Sequence, residues 1–214
     1  DITTYGASFS TVFGETNVAG EMSVRRNTPL SPVGDLVVNT LANADNKNNT
    51  PYARGNSFHM NLSAIALFPA TPLWQGASLV AEYAFNRLLS VTHDPLNSLN
   101  TTHTRDTSIV RLIFQPEYFQ VISGVDLQVP IGLGYGLSGR SAILNLIPEH
   151  GGDFSIGVNA EVDKTWKAGL NFTHYFGAQG PAPQMINGTP TLSASYKQYY
   201  ADRDFITFSI QRTF

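Results

Sequence analysis

The chain has 214 residues, a formal net charge of −3 and no cysteine, and 14% of its residues are charged, against about 25% in an average domain. The missing cysteine excludes disulfides and thiolate metal sites, and the charge balance leaves no basic footprint for nucleic acid. Aromatic residues at 11% exclude a disordered chain, and no run of about 18 apolar residues exists to make a transmembrane helix.

The dominant period is two, and it predicts nine strands in chain order. Ile2–Phe13 and Val18–Arg26 are joined by the short "GETN". "DITTYGASFS" has neither a basic nor an apolar leader region, so any signal peptide has been removed or lay further upstream. A long Asn-rich link near residues 27–56 leads to Ser57–Phe68, where Phe58, Met60 and Leu62 oppose His59, Asn61 and Ser63. "PATPLWQG" leads to Ala77–Val91, and a longer link near 93–105 leads to Thr107–Phe119. The short "QVISG" precedes Val125–Leu137, in which Pro130 has no N–H to donate and marks a bulge or break in the ladder. A long link near 138–152 leads to Asp153–Asp163, "DKT" to Thr165–Phe176, and a long link near 177–200 to Asp202–Phe214.

These strands exceed the usual five or six residues. A strand tilted by about 40° needs roughly ten residues, at about 3.4 Å each, to cross a hydrocarbon band about 25 Å tall. The expected fold is therefore all-β: an antiparallel transmembrane β-barrel in the bacterial outer membrane, one domain over residues 1–214. Short turns at one end and long links at the other match periplasmic turns and extracellular loops. A soluble β-sandwich would show the same alternation; strand length, low charge and the terminal aromatic favour the barrel. Trp166 and Trp74 are expected near the periplasmic interface, and Tyr83, Phe85, Tyr175 and Tyr196 toward the outer one.

The last strand places Ile206, Phe208, Ile210, Arg212 and Phe214 on one face. Phe208, Ile210 and Phe214 read as the signal by which the barrel-assembly machinery recognises the chain; Arg212 departs from the apolar residue usual there. Nine is odd, and barrels of this kind have an even strand number. With the C-terminus in the periplasm, Asp1 falls outside the cell. The chain is thus expected to be the C-terminal part of a larger barrel completed by upstream strands, unless one strand has been miscounted.

The lumen face is expected to carry Glu21, Arg25, His59, Asn61, Glu82, Asn86, Asp126, Gln128, Asn159, Glu161, Lys167 and Asn171. Such residues either wet a lumen and pair across strands or line a selective conduit. Gly132, Gly134 and Gly136 share this face and leave room for a bend or for something packed inside. Gly134, Gly136 and Gly139 match a dinucleotide pattern, but no strand–turn–helix context surrounds them. His59, Asn61 and Ser63 lie along one strand about 7 Å apart, so a hydrolytic relay needs a partner from a neighbouring strand. His174 falls on the lipid face near the outer end, and no residues have metal-ligand spacing.

Four stretches, "YGASFSTVFGETNVAGEMSVRRNTPL", "GVDLQVPIGLGYGLSGRSA", "GGDFSIGVNAEVDKTWKAGLNFTHYFG" and "ADRDFITFSIQRTF", occur in order. Together they resemble a proteobacterial envelope family catalogued as domain of unknown function 1302. The resemblance implies a larger outer-membrane barrel, and traffic of lipid or hydrophobic compounds in partnership with an inner-membrane exporter. It brings no catalytic residues and no cofactor. The function expected is non-enzymatic passage or handling of a small or hydrophobic molecule. A plugged barrel whose loops bind a partner, and an outer-membrane lipid hydrolase, are the alternatives.

Overall fold

The computed structural model describes residues 1–33, 37–144, 148–180, 183–186 and 189–213. Phe214, the aromatic end of the expected assembly signal, lies outside the described residues. The first strands are β1 (Thr3–Phe13), β2 (Thr16–Pro29), β3 (Arg54–Phe68), β4 (Gly76–His93), β5 (Asp106–Ile122) and β6 (Val125–Gln128). They are followed by β7 (Ile131–Ser138), β8 (Gly152–Val162), β9 (Trp166–Phe176), β10 (Pro183–Ile186), β11 (Thr189–Ala194) and β12 (Phe205–Arg212). There is no α-helix among the described residues.

Ten of the strands form one antiparallel sheet in the order β1-β2-β3-β4-β5-β6-β8-β9-β12, with β7 also between β5 and β8. β6 and β7 are one strand interrupted at Val129 and Pro130. Glu117 faces Gln128 and Ile113 faces Gly132 in the same register, so the break inserts no extra residue. Pro130 has no N–H, but its carbonyl accepts from Gly157 N at 3.0 Å, which holds the segment against β8. The nine expected strands are therefore nine rungs of the sheet. Among the described residues β1 pairs only with β2 and β12 only with β9, so the two edges do not meet. Both edge strands run from the long-link end toward the tight-turn end.

Some boundaries differ from expectation. The ladder reaches Pro29, Arg54 and His93, which shortens the links expected near 27–56 and 93–105. β5 continues to Ile122 through a bulge where Gln120 takes φ 50° and gives its backbone N–H to Asp126 Oδ1 at 2.9 Å. β12 begins only at Phe205, because Asp204 leaves the ladder to accept from Tyr175 N at 2.9 Å and meets His174 Nδ1 at 2.6 Å. The link near 177–200 is not irregular throughout, since β10 and β11 form a separate antiparallel hairpin.

Residues paired across a ladder share a face, and the faces segregate. One carries Phe9, Met22, Leu62, Val158, Leu170, Phe172, Ile206, Phe208 and Ile210, all exposed. Phe208 is 70% exposed and Leu170 54%, so no second layer of described residues covers this face. The buried hydrophobic cluster lies elsewhere, at the long-link end, where Leu30, Ala53, Leu88, Leu99 and Ala142 pack together with Ile143 against them. Backbone bonds knit it: Leu30 N donates to Ala53 O at 2.9 Å, Ser31 N to Ala142 O at 2.7 Å and Val33 N to Ser98 O at 2.8 Å. Tyr196, expected at an interface, is buried in this cap and donates its hydroxyl to Ser141 O at 2.7 Å. Tyr83 pairs with Leu62 and Val110 near the middle of its strand, away from either end.

Candidate functional site

All twelve residues expected to line a lumen lie on the face opposite the apolar one. The register runs Glu21 to Asn61, Arg25 to Ser57, His59 to Asn86 and Ser63 to Glu82 across β2, β3 and β4. On the other side of the sheet it runs Asp126 to Glu161, Gln128 to Asn159, Glu161 to Lys167, and Asn171 to Gly157 and Thr207. Depressions open on this face, and two of them hold ten of the twelve residues. A cavity of about 580 Å³ is lined by Glu21, Arg25, His59, Asn61 and Asn86, and Leu144 of the β7–β8 link reaches it. A second, of about 510 Å³, lies toward the tight turns and holds Asp126, Gln128, Asn159, Glu161 and Lys167. Asn171 belongs to neither; its amide occupies the space left by the absent side chain of Gly157.

In the larger cavity the polar groups bind one another along the strands. His59 Nε2 lies 2.9 Å from Ser57 Oγ, not beside Ser63. Ser57 is fully buried, so its hydroxyl is closed to any substrate. Asn61 Nδ2 donates to Glu82 Oε1 at 2.5 Å. Asn86 Oδ1 accepts from Ser141 Oγ at 3.0 Å, which ties the β7–β8 link across the polar face. Glu21 and Arg25 form no ion pair among the described residues.

The smaller depression is an ionic network. Lys164 Nζ lies 2.7 Å from Asp126 and 3.4 Å from Glu161, and Lys167 Nζ lies 3.5 Å from Glu161. Hydrogen bonding to Asp126 raises the pKa of the Lys164 ammonium above its ordinary value. Sequence reading passed over Lys164. It sits in the "DKT" turn, where Asp163 and Lys164 take φ 48° and 53°, and that left-handed pair marks the tight hairpin that turns Lys164 back over β8.

Arg111 and Asp153 were also missed. Arg111 Nη2 meets Asp153 Oδ2 at 3.1 Å across β7. Gly134 lies between them in register, and a Cβ there would stand 2.7 Å from Asp153 Oδ1 and 3.1 Å from Arg111 Nη1. At Gly136 the space goes to the Pro148 carbonyl of the β7–β8 link. The glycines of "GLGYG" thus admit an ion pair and a folded-in link. Gly139 follows in a link without helix among its described residues, so the strand–turn–helix setting of a dinucleotide site is not present among them.

Among the described residues, the charged and histidine side chains on the apolar face sit at its ends. At the long-link end Arg87 binds Asp106 through two nitrogens at 2.5 and 2.7 Å, Arg26 lies 6.0 Å from the Tyr5 ring centre, and His174 contacts Asp204. The Asp204 carboxyl is held below its ordinary pKa by that His174 contact, then by the Tyr175 N–H. At the tight-turn end Arg212, opposite Trp166, stacks on its ring. No group of ionisable side chains among the described residues is arranged to hold a metal ion.

Neither a curated protein nor a solved structure matches the chain. A family match covers residues 1–214, and with it the chain belongs to the family described as protein of unknown function (DUF1302).

Proposed function

We propose that this chain forms part of an outer-membrane β-barrel that passes or handles a small or hydrophobic molecule, without enzymatic chemistry. The observation that carries the reading is the segregation of the two faces. Among the described residues, one is apolar, uncovered and free of Asp, Glu, Lys, Arg and His between its two ends; the other is polar and holds the cavities described above. From Trp166 to His174 the apolar stretch of β9 spans about 27 Å at about 3.4 Å per residue, and a tilt near 40° brings it to about 21 Å, close to the hydrocarbon band of such barrels. An exposed patch of this extent has no place on a soluble monomer, where the largest reach about 300–600 Å².

An open edge in hydrocarbon leaves unpaired backbone groups at several kcal/mol each. The edges of β1 and β12 are therefore closed by strands from outside residues 1–214. Outer-membrane lipid then contacts the apolar face, and the barrel-assembly machinery inserts the strands. The family resemblance adds an inner-membrane exporter as the working partner. A second reading, a plugged barrel that binds a partner through its links, draws on the interlocked cap. The deciding experiment is single-molecule conductance of the full-length protein in a planar bilayer. Discrete steps are expected; a silent bilayer containing folded, heat-modifiable protein would favour the plugged form. Lipid-ester hydrolysis abolished by Ser63→Ala would overturn the non-enzymatic reading.

A further inference from the structure

The polar face is not polar throughout. Val12, Ile65, Leu67, Val80 and Ile113 belong to it by register and are exposed. Ile65 stands opposite Val80 and Val80 opposite Ile113, so three aliphatic side chains lie side by side on β3, β4 and β5. Asn17 faces both Ile65 and Val12, which carries the row to β1. The row stops at Gly132, beyond which the same level carries Ser155 and Thr173. Val80 and Ile113 each keep 40% of their surface exposed.

Immediately toward the long-link end the character changes. Glu82, opposite Ser63, stands two residues beyond Val80, and Glu21, opposite Asn61, stands in the next row. A depression of about 330 Å³ touches Ser8, Glu21, Asn61, Ser63 and Glu82, and shares Ser8, Glu21 and Asn61 with the larger cavity. Neither carboxylate has an ion-pair partner among the described residues, and Arg111, across the ladder from Glu82, is turned to Asp153.

We infer that this depression and the exposed row beside it take a cationic amphiphile, with an amine or ammonium head at Glu21 and Glu82 and an aliphatic part along Ile65, Val80 and Ile113. The inference rests on the reading of the polar face as a lumen. Covering the aliphatic row removes apolar surface from water, and the head supplies the charge the two carboxylates lack. An anionic amphiphile would set like charge against Glu82. A small cation would leave the row wet.

The test is equilibrium dialysis of the full-length protein, held in amphipol, against octyltrimethylammonium, tetramethylammonium and octyl sulfate. Octyltrimethylammonium is expected to bind at least about tenfold more tightly than either control, since both terms must act together. Glu21→Gln with Glu82→Gln should abolish the preference over octyl sulfate. Val80→Thr with Ile113→Thr, which keeps β-branching and makes both positions polar, should abolish the preference over tetramethylammonium. Equal binding of octyl sulfate overturns the proposal, and so does binding unchanged in both variants, which would place the ligand on the outer apolar face. Val80→Cys protected from a thiol reagent, with no binding, overturns it in favour of another segment of the protein on the row. Conductance on the same preparation separates the two readings: binding without conductance removes the passage, and conductance without binding removes only the amphiphile.

Discussion

The Arg212 guanidinium lies 5.2 Å over the centre of the Trp166 ring, on the apolar face at the tight-turn end. A cation facing an apolar surface is costly unless something shields it, and the indole does so while letting the charge reach the rim. Arg212→Ala and Trp166→Ala should each destabilise by about 0.5–1 kcal/mol, and the double variant by little more than either. Denaturant titration of the refolded protein checks this. Full additivity would show that the ring and the cation do not act together.

Leu170 and Asn171 are neighbours on opposite faces of β9. Leu170→Arg puts a cation in the middle of the apolar band and should cost about 2–4 kcal/mol in a bilayer, whereas Asn171→Arg on the polar face should cost much less. Refolding into lipid vesicles measures both, and similar losses would reverse the assignment of faces.

The Arg111–Asp153 pair crosses β7 because Gly134 has no side chain. Gly134→Ala should cost about 1–3 kcal/mol by overpacking. In an Asp153→Ala background that cost should nearly vanish, since the side chain it strikes is gone. A cost that persists there would place the strain in the backbone.

Asp204 gives a pH dependence with a defined sign. Its folded pKa lies below its ordinary value, chiefly through His174. The contact therefore stabilises the fold above the unfolded carboxylate pKa of about 3.9, and is lost as pH falls through the lower folded value. Hydrogen exchange of the Tyr175 amide, which donates to Asp204 Oδ1, should accelerate over that acid range. In Asp204→Ala it should be fast at every pH.

The open edges make a further prediction. β1 and β12 run in the same direction, so joining them directly would make a parallel pair, which outer-membrane barrels of the kind proposed rarely contain. In the full-length protein, cysteines placed pairwise along Tyr5–Phe13 and Phe205–Arg212 should not cross-link under mild oxidation. Efficient cross-linking at one register would close the sheet on itself.

What the sequence made legible was periodic. "FSIGVNAEV" assigns Phe154, Ile156, Val158, Ala160 and Val162 to one face by alternation alone, and the ladder places them there. Pro130 marked its own break by lacking a donor. The cap was invisible because Leu30, Ala53 and Leu99 stand singly in polar links and Ala142 opens a short apolar run without period, so that only the folded chain brings them together. Arg111 and Asp153 needed the register of three strands before their charges could be seen to meet. In the stretch 177–200 the sequence pair "NG" is a general hairpin signal, but the stretch read as a link throughout. At the site, alternation placed the twelve polar residues on one face. It could not say that His59 would turn to Ser57, or that Lys164 would swing back from its turn.

The buried cluster joins side chains drawn from the β2–β3, β4–β5 and β7–β8 links and from β4. No single hairpin contains enough of it to form it. Contacts of such wide sequence separation are slow to assemble, because loop closure must precede the gain. The hairpins are therefore expected to zip first and the hydrophobic centre to condense last, at the end remote from the tight turns. A partly assembled chain would show full β content while its links stayed open to protease, and a cut between Leu30 and Ala53 would delay condensation without stopping strand pairing.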